Sequence, residues 1–414
     1  MKTIFIFGRL AALSLSELVF TLKRLNWPNE FLAVSPSAAL LEVKNDFDVD
    51  FLMRQLGGTV KIAAGRAVLR GTLKEKIWEE IFPIILDLIK KKAESAGAAD
   101  KKIFFGLSFY GRKTPPPQWG LALKKKLEQQ GVKSRLVTSR EKTLSAVSVK
   151  LNKLLSRRGM EILVVFDGQK IWIGETLAVQ PFDEFSQRDF GRPERDAYSG
   201  MLPPKLAKII INLAELPLNS TILDPFCGSG TILSEAILMG YENIRGSDVS
   251  EKAIANTKKN LQWLAQNSKL NDQQPFLENW QSQIKRGDAR QLSKFFQPSS
   301  IDAIITEPFL GPPFRGGETT QQINKIIRDL SSLYLASLKE FKKVLKLGGR
   351  VAMIWPVFNK NKFLPLENEI KKMGFGIEPL LPSPFTAGLT KRNTLVYSRP
   401  EQKVAREIVK LIRL

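Results

Sequence analysis

From Leu202 onward, short apolar runs alternate with stretches of helical spacing, and four successive runs end in an acidic residue. The runs are TILDPF (221–226), NIRGSDV (243–249), QIKRGDA (283–289), IDAIITEP (301–308) and GGRVAMIWPV (348–357). Strands joined through helices need crossover connections, so the pattern predicts a mostly parallel sheet covered by helices on both faces. Such a sheet binds ligands at the carboxyl ends of its strands, where the strand order reverses. Asp224, Asp248, Asp288 and Glu307 would then share one edge. Any one of them suits a solvated turn; four strand ends in a row make that reading unattractive.

The first of these ends is the most informative. In ILDPFCGSGTILSEA a strand closes at Asp224, a loop holds Gly228 and Gly230, and a helix opens near Thr231. Glycines there permit unusual dihedrals and close approach of a ligand to the backbone, although a GxG turn alone is weak evidence. Asp248 lies 24 residues after Asp224, a spacing at which an acid accepts hydrogen bonds from ribose hydroxyls. Asp288 could meet an adenine amino group. Asp224 stands ahead of the glycines, where it would repel a pyrophosphate and would suit a cation such as the amino and sulfonium groups of S-adenosylmethionine. This loop carries no Walker pattern, which disfavours nucleotide hydrolysis.

Composition removes other chemistries. The chain has no histidine and one cysteine, Cys227, so histidine bases, Ser-His-Asp triads and Cys/His zinc sites are excluded by count. Cys227 lies in the glycine loop and reads as a space-filler, which disfavours thiolate attack on a pyrimidine. The net charge is +22 over 414 residues, shared about equally between residues 1–185 and the remainder, and phosphate backbones are the commonest partner of such a surface. No uncharged apolar run approaches the length of a membrane span, and the first residues lack the pattern of a secretion signal. The expected location is cytoplasmic.

Upstream of the alternating region the reading is α+β. Residues 1–65 suggest strand, helix, strand (FLAVSPSAALLEV), helix and strand, of ferredoxin-like type. Residues 66–180 suggest a second α/β module, with a helix over 145–159. Residues 181–200 read as a linker, residues 201–414 as the Rossmann-like region, LAQNSKLNDQQPFLENW as a loop insertion, and the end (EQKVAREIVKLIRL) as a short basic helix. Basic residues that fit backbone contacts to RNA are Lys124, Lys125, Lys126, Lys133, Arg135, Arg157 and Arg158, with Arg188, Arg192 and Arg195 in the linker. An ordinary solvated helix face explains any single lysine equally well.

The ordered motifs DPFCGSGT, RGSDVS, GDAR and TEPFLG resemble those of class I S-adenosylmethionine-dependent methyltransferases. RDFGRPERDAYSGMLPPKLAKIIINLA before them is similar to the approach segment of the tRNA guanosine-N2 methyltransferases of archaea and eukaryotes. That family carries a ferredoxin-like piece and a THUMP RNA-binding domain upstream, matching the organisation of residues 1–180. The resemblance implies that Gly200 and Met201 border the cofactor carboxylate. It implies that Asp224, Gly228 and Gly230 shape the methionine end, that Asp248 holds the ribose and that Asp288 faces the adenine. Phe226, Thr231 and Ala289 join them in the cofactor set. It also implies tRNA as substrate, guanosine 10 as the target, and a small zinc-binding activating subunit in some relatives.

The same resemblance gives the acid a role. In that family the fourth strand ends in Asp or Asn, then Pro-Pro and an aromatic residue. The side-chain oxygen and a nearby backbone carbonyl accept hydrogen bonds from the target amine, whose lone pair is otherwise delocalised into the base. Here Glu307, Pro308 and Phe309 occupy the catalytic positions, with Leu310 in the aromatic slot, so stacking falls to Phe309 or Phe314. Three readings of this departure stay open: a retuned site for the same guanine amine, a different target atom, or a site that binds without transferring. A DNA amino-methyltransferase and a non-catalytic RNA-binding protein are the alternatives at the level of function.

Overall fold

The computed structural model describes all residues except 44–46, 71–76, 98–100, 112–114, 117, 196–200, 268–279, 315 and 400–401. The chain packs as two units. Residues 1–11, 26–54 and 58–182 form the first, and residues 12–25, 55–57 and 183–414 the second.

The first unit is built on one sheet of β1 (Lys2–Phe7), β2 (Asn29–Val34), β3 (Ala38–Val43), β4 (Thr59–Arg70), β5 (Ile103–Tyr110), β6 (Ser134–Val137), β7 (Gly159–Phe166) and β8 (Lys170–Val179). Their order is β2-β3-β1-β4-β8-β7-β5-β6. The single strand expected in FLAVSPSAALLEV is a hairpin. Ser35 Oγ accepts from the backbone N–H groups of Ser37 (3.3 Å) and Ala38 (3.1 Å), a side-chain turn that reverses the chain at Pro36. The module boundary expected at residue 65 falls inside β4, which pairs with β1 on one side and β8 on the other. Fully buried Glu161 on β7 ties the strands together, accepting from Lys61 on β4, Ser108 on β5 and Thr176 on β8. On α3 (Ile77–Ser95) a stripe of Ile77, Ile81, Ile85 and Ile89 is buried, the apolar face that helical spacing predicts. It packs with Leu123 and Leu127 of α4 (Trp119–Gln129) over β5 and β7. The helix expected to reach residue 159 stops early: α5 covers Ala146–Leu151, and Arg157 and Arg158 lie in the turns after it.

The second unit contains a sheet in the order β11-β10-β9-β12-β13-β16-β14, with β15 paired to β16. These strands are β9 (Thr221–Asp224), β10 (Asn243–Asp248), β11 (Ile284–Arg286), β12 (Ile301–Thr306), β13 (Leu345–Phe358), β14 (Phe375–Glu378), β15 (Leu395–Tyr397) and β16 (Val404–Arg413). β9 to β13 pair in parallel, as the alternation predicts, while β16 runs antiparallel to its neighbours. The stretch expected as a terminal basic helix is therefore a strand. Residues 405–411 are buried throughout, and a short continuous buried run carries no period that separates strand from helix. The helices are α7 (Pro204–Leu213), α8 (Thr231–Leu238), α9 (Glu251–Asn267), a long helix Thr320–Val344 and a short one Glu367–Lys372, with α6 (Phe182–Phe190) inside the expected linker. α9 takes in the first residues of the expected loop insertion, whose remainder at 268–279 lies outside the described residues.

Helix α1 (Ala11–Arg24), early in the sequence, packs within this second unit. Its fully buried Glu17 accepts from the Gly57 backbone N–H (2.7 Å) and from Asn212 Nδ2 (2.9 Å) on α7. Lys410 of β16 places its Nζ 3.9 Å from the centre of the Phe20 ring.

Candidate active site

Strand order reverses between β9 and β12, so the carboxyl ends of β11, β10, β9 and β12 lie side by side. Asp224 is the last residue of β9 and Asp248 of β10, Glu307 directly follows β12, and Asp288 lies two residues beyond β11.

Asp224 is 1% exposed. Its Oδ1 accepts from the Thr306 hydroxyl (2.7 Å) and from the backbone N–H of Phe226 (3.1 Å). Burial raises its pKa to about 7, against these two hydrogen bonds, and the nearby carboxyls of Asp248 and Glu307 push the same way. Asp248 holds the glycine loop in place: its Oδ2 accepts from the Gly228 N–H at 3.0 Å and its Oδ1 from the Ser250 N–H at 2.9 Å. Burial raises its pKa as well. Gly228 (φ +52°) and Gly230 (φ +82°) both adopt the left-handed conformation that favours glycine. A Cβ at Gly230 would lie 3.0 Å from Thr257 Cγ2. Thr257 in turn donates to the Gly228 carbonyl (2.7 Å), and Asn260 to the Ser229 carbonyl (2.9 Å), so α9 supports the loop from behind. Cys227 is buried in this loop and its Sγ accepts from the Thr257 hydroxyl of α9 at 3.7 Å, the thiol being pushed up by burial.

Asp288 is paired with its own neighbour. Its carboxylate accepts from Arg290 Nη2 at 2.6 Å, from Arg290 Nε and from the Arg290 backbone N–H, and the Arg290 guanidinium holds its pKa low. Ala289 is buried behind it.

Glu307 faces a cation that nothing near it in sequence announces. Arg406 of β16 donates from Nε to Glu307 Oε1 at 2.6 Å, with the side chains 5% and 12% exposed. Burial raises the Glu307 pKa and Arg406 opposes that rise. Pro308 is buried, Phe309 is 55% exposed, and the Tyr334 hydroxyl of the long helix donates to the Phe309 carbonyl at 2.9 Å. Phe314 packs on Phe358, with ring centres 5.5 Å apart. Phe226 packs against the same apolar cluster.

Arg192, expected to meet nucleic acid, is 6% exposed. It donates to Thr231 Oγ1 (2.7 Å) and to Met201 Sδ (2.9 Å), which joins three residues placed apart in the sequence reading. Arg188 is likewise committed, with two hydrogen bonds to buried Glu235. Gly200 lies outside the described residues. Arg195 is exposed and stacks on Phe190. In the first unit Lys125, Lys126, Lys133, Arg135, Arg157 and Arg158 are exposed, and Lys124 is half-buried with Glu128 3.5 Å away. No helix among the described residues is long and apolar enough to cross a membrane.

With this edge defined, the comparison with known proteins bears directly on it. Residues 192–368 match the RMKL-like methyltransferase domain family. Asp224, Asp248, Asp288 and Glu307 all lie inside that span. Residues 75–259 also match a family described as DNA methylase. The chain is 30% identical over 197 residues to a tRNA (guanine(10)-N2)-dimethyltransferase of Pyrococcus abyssi, covering 47% of this chain and 50% of the relative. It is 31% identical over 183 residues to the protein of the same name from Methanothermobacter thermautotrophicus, covering 44% and 46%. The chain thus spans about half the length of these relatives. Among solved structures it resembles TrmN from Thermus thermophilus, with TM-score 0.56, 17% identity and full coverage of both chains. Residues 183–414 therefore have the Rossmann-like α/β fold that the alternation of strands and helices predicts.

Proposed function

We propose that the chain is an S-adenosylmethionine-dependent methyltransferase acting on the exocyclic N2 of a guanosine in tRNA. The observation that carries this reading is the row of carboxylates beside a glycine loop, with Asp224 buried against hydroxyl and amide donors only and Glu307 followed by proline. Relatives with guanine-N2 methyltransferase names support the choice of base and of tRNA.

The residues present fit the cofactor. A positively charged ligand offsets the desolvation of Asp224 and Asp248, and glycines at 228 and 230 leave the loop backbone open to it. Met201, Phe226, Thr231 and Ala289 would complete its surroundings. When bound, the cofactor supplies an electrophilic methyl group on a sulfonium. The chain's own contribution is to seat the target amine. Glu307 accepts hydrogen bonds from the amine, favouring a pyramidal nitrogen whose lone pair is free to attack, and takes up the proton that nitrogen sheds. Much of the acceleration then comes from positioning and fixed charge, which requires no histidine. Exposed Phe309 offers a face for the target base. Lys125, Lys126, Arg157 and Arg158 would hold the RNA backbone through the THUMP-like first unit, and guanosine 10 would be the target.

The test is to incubate the purified protein with unmodified tRNA transcripts and methyl-labelled cofactor, and to identify the labelled nucleoside. Label in N2-methylated guanosine is the expected result. Label in adenine or cytosine amines, with duplex DNA preferred over tRNA, would replace this reading by that of a DNA amino-methyltransferase. Repeating the assay with a zinc-binding activating subunit shows whether turnover requires one.

A further inference from the structure

Glu307 departs from the resembled family's shorter acid or amide, and a buried arginine from a distant strand meets it. We propose that Arg406 is a positioning residue of the transfer site: it holds one oxygen of Glu307 so that the other is presented to the target amine. The inference rests on the methyl-transfer reading above.

Three structural facts carry it. The contact is made through Nε at 2.6 Å, to Oε1 alone, and Oε2 of Glu307 has no hydrogen-bond partner among the described residues. Arg406 is fixed by its backbone, since β16 pairs with β13 at Pro356 and with β15 at Tyr397 on either side of it. The turn itself is held from a third direction by Tyr334, through the Phe309 carbonyl. A glutamate has one more rotatable bond than an aspartate, so a side chain at this position needs an anchor to present a defined oxygen. The arginine supplies that anchor.

The arrangement also decides which protonation state the carboxyl adopts. Among the described residues, the groups facing Glu307 are Asp224 at the end of β9, Tyr334 on the long helix and Arg406 on β16. Among these, Arg406 alone favours the ionised form. Without it, burial and Asp224 act unopposed, and a protonated Glu307 cannot take up the proton shed by the amine.

The experiment compares wild type, Arg406→Met and Arg406→Lys, reading kcat, KM for tRNA, cofactor affinity by calorimetry, and the pH dependence of kcat. Arg406→Met is expected to lower kcat about 100-fold, the cost of a misplaced group, with cofactor affinity unchanged. Its acidic limb should move to higher pH by about one unit or more. Arg406→Lys retains the charge and should recover both the limb and at least part of the rate. If Arg406→Met folds poorly, the kcat of Arg406→Lys still decides: a lysine at this depth restores the charge and not the Nε geometry, so a wild-type limb with a lowered kcat is expected, and a fully wild-type kcat overturns the positioning role. In Arg406→Met, a kcat loss with an unmoved limb, or a loss that appears in cofactor affinity instead, overturns the positioning role and leaves the methyl-transfer reading intact. A wild-type protein that binds cofactor and labels no guanine overturns the reading itself, and the inference with it.

Discussion

Asp224 shows how far a single residue can be read. Its place at a strand end before two glycines was legible, because spacing is local information. Its depth was not, because that depends on Thr306 from a strand 82 positions away. The depth has a measurable consequence. An aspartate free in solution titrates near 3.8, and this one is raised to about 7. The folded chain therefore binds that proton more tightly than the unfolded chain. The resulting stability is complete below the unfolded value and is lost as pH rises through about 7. Asp224→Asn should flatten the stability profile between about pH 4 and pH 7 and raise the melting temperature at the alkaline end. The displacement corresponds to roughly 4 kcal/mol as an upper bound. Thermal scans of both proteins at several pH values check this. The same substitution should also weaken cofactor binding, since the buried negative charge is what a cation would meet. Arg192 was misread for a related reason: composition shows that it is basic, and only the fold shows that Thr231 and Met201 surround it.

Among the elements, the parallel strands and their helices were legible because each alternates cleanly with its neighbours. Two elements were not. Residues 31–43 read as one strand, because the Ser35 side-chain turn leaves no glycine or Asn-Gly signal to mark the reversal. β16 read as a helix, because a strand buried on both faces looks like any short apolar run. With β16 went Arg406; Tyr334 lies on a legible helix, but its bond to the Phe309 carbonyl was not legible, and these two side chains fix the Glu307 turn. Strand pairing between residues far apart in the chain has no local trace in a single sequence. The glycine loop, by contrast, supports a prediction that separates its two glycines. Gly228→Ala meets only a dihedral penalty, about 1–2 kcal/mol, because the nearest atom is 4.0 Å from the new Cβ. Gly230→Ala adds contact with Thr257 at 3.0 Å, pushing on the helix that supports the loop. Gly230→Ala should therefore lose more stability and more cofactor affinity than Gly228→Ala, and denaturant melts with calorimetry rank them.

At the scale of the whole molecule, the sequence suggested modules laid end to end, and the fold is not partitioned that way. The sheet of the first unit runs through the expected boundary at residue 65, and helix α1 packs with the second unit. Contact partners, not composition, decide such membership, so α1 could not be assigned in advance. A fragment of residues 183–414 lacks α1 and leaves Asn212 and Lys410 without Glu17 and Phe20. It should be far less soluble than the full chain, and adding back a peptide of residues 9–26 should recover part of the loss; light scattering and circular dichroism of the two preparations check this. Glu17→Ala in the full chain should destabilise by about 1–3 kcal/mol, removing from the interior the carboxylate that accepts from the Gly57 N–H and from Asn212 Nδ2. The position of β16 sets an order in time as well. Residues 404–413 leave the ribosome after every other strand of their sheet, yet they must slot between β13 and β14 and deliver Arg406 to Glu307. A nascent chain can thus fold its first unit, with Lys125, Lys126, Arg157 and Arg158 exposed on it, before Arg406 reaches Glu307.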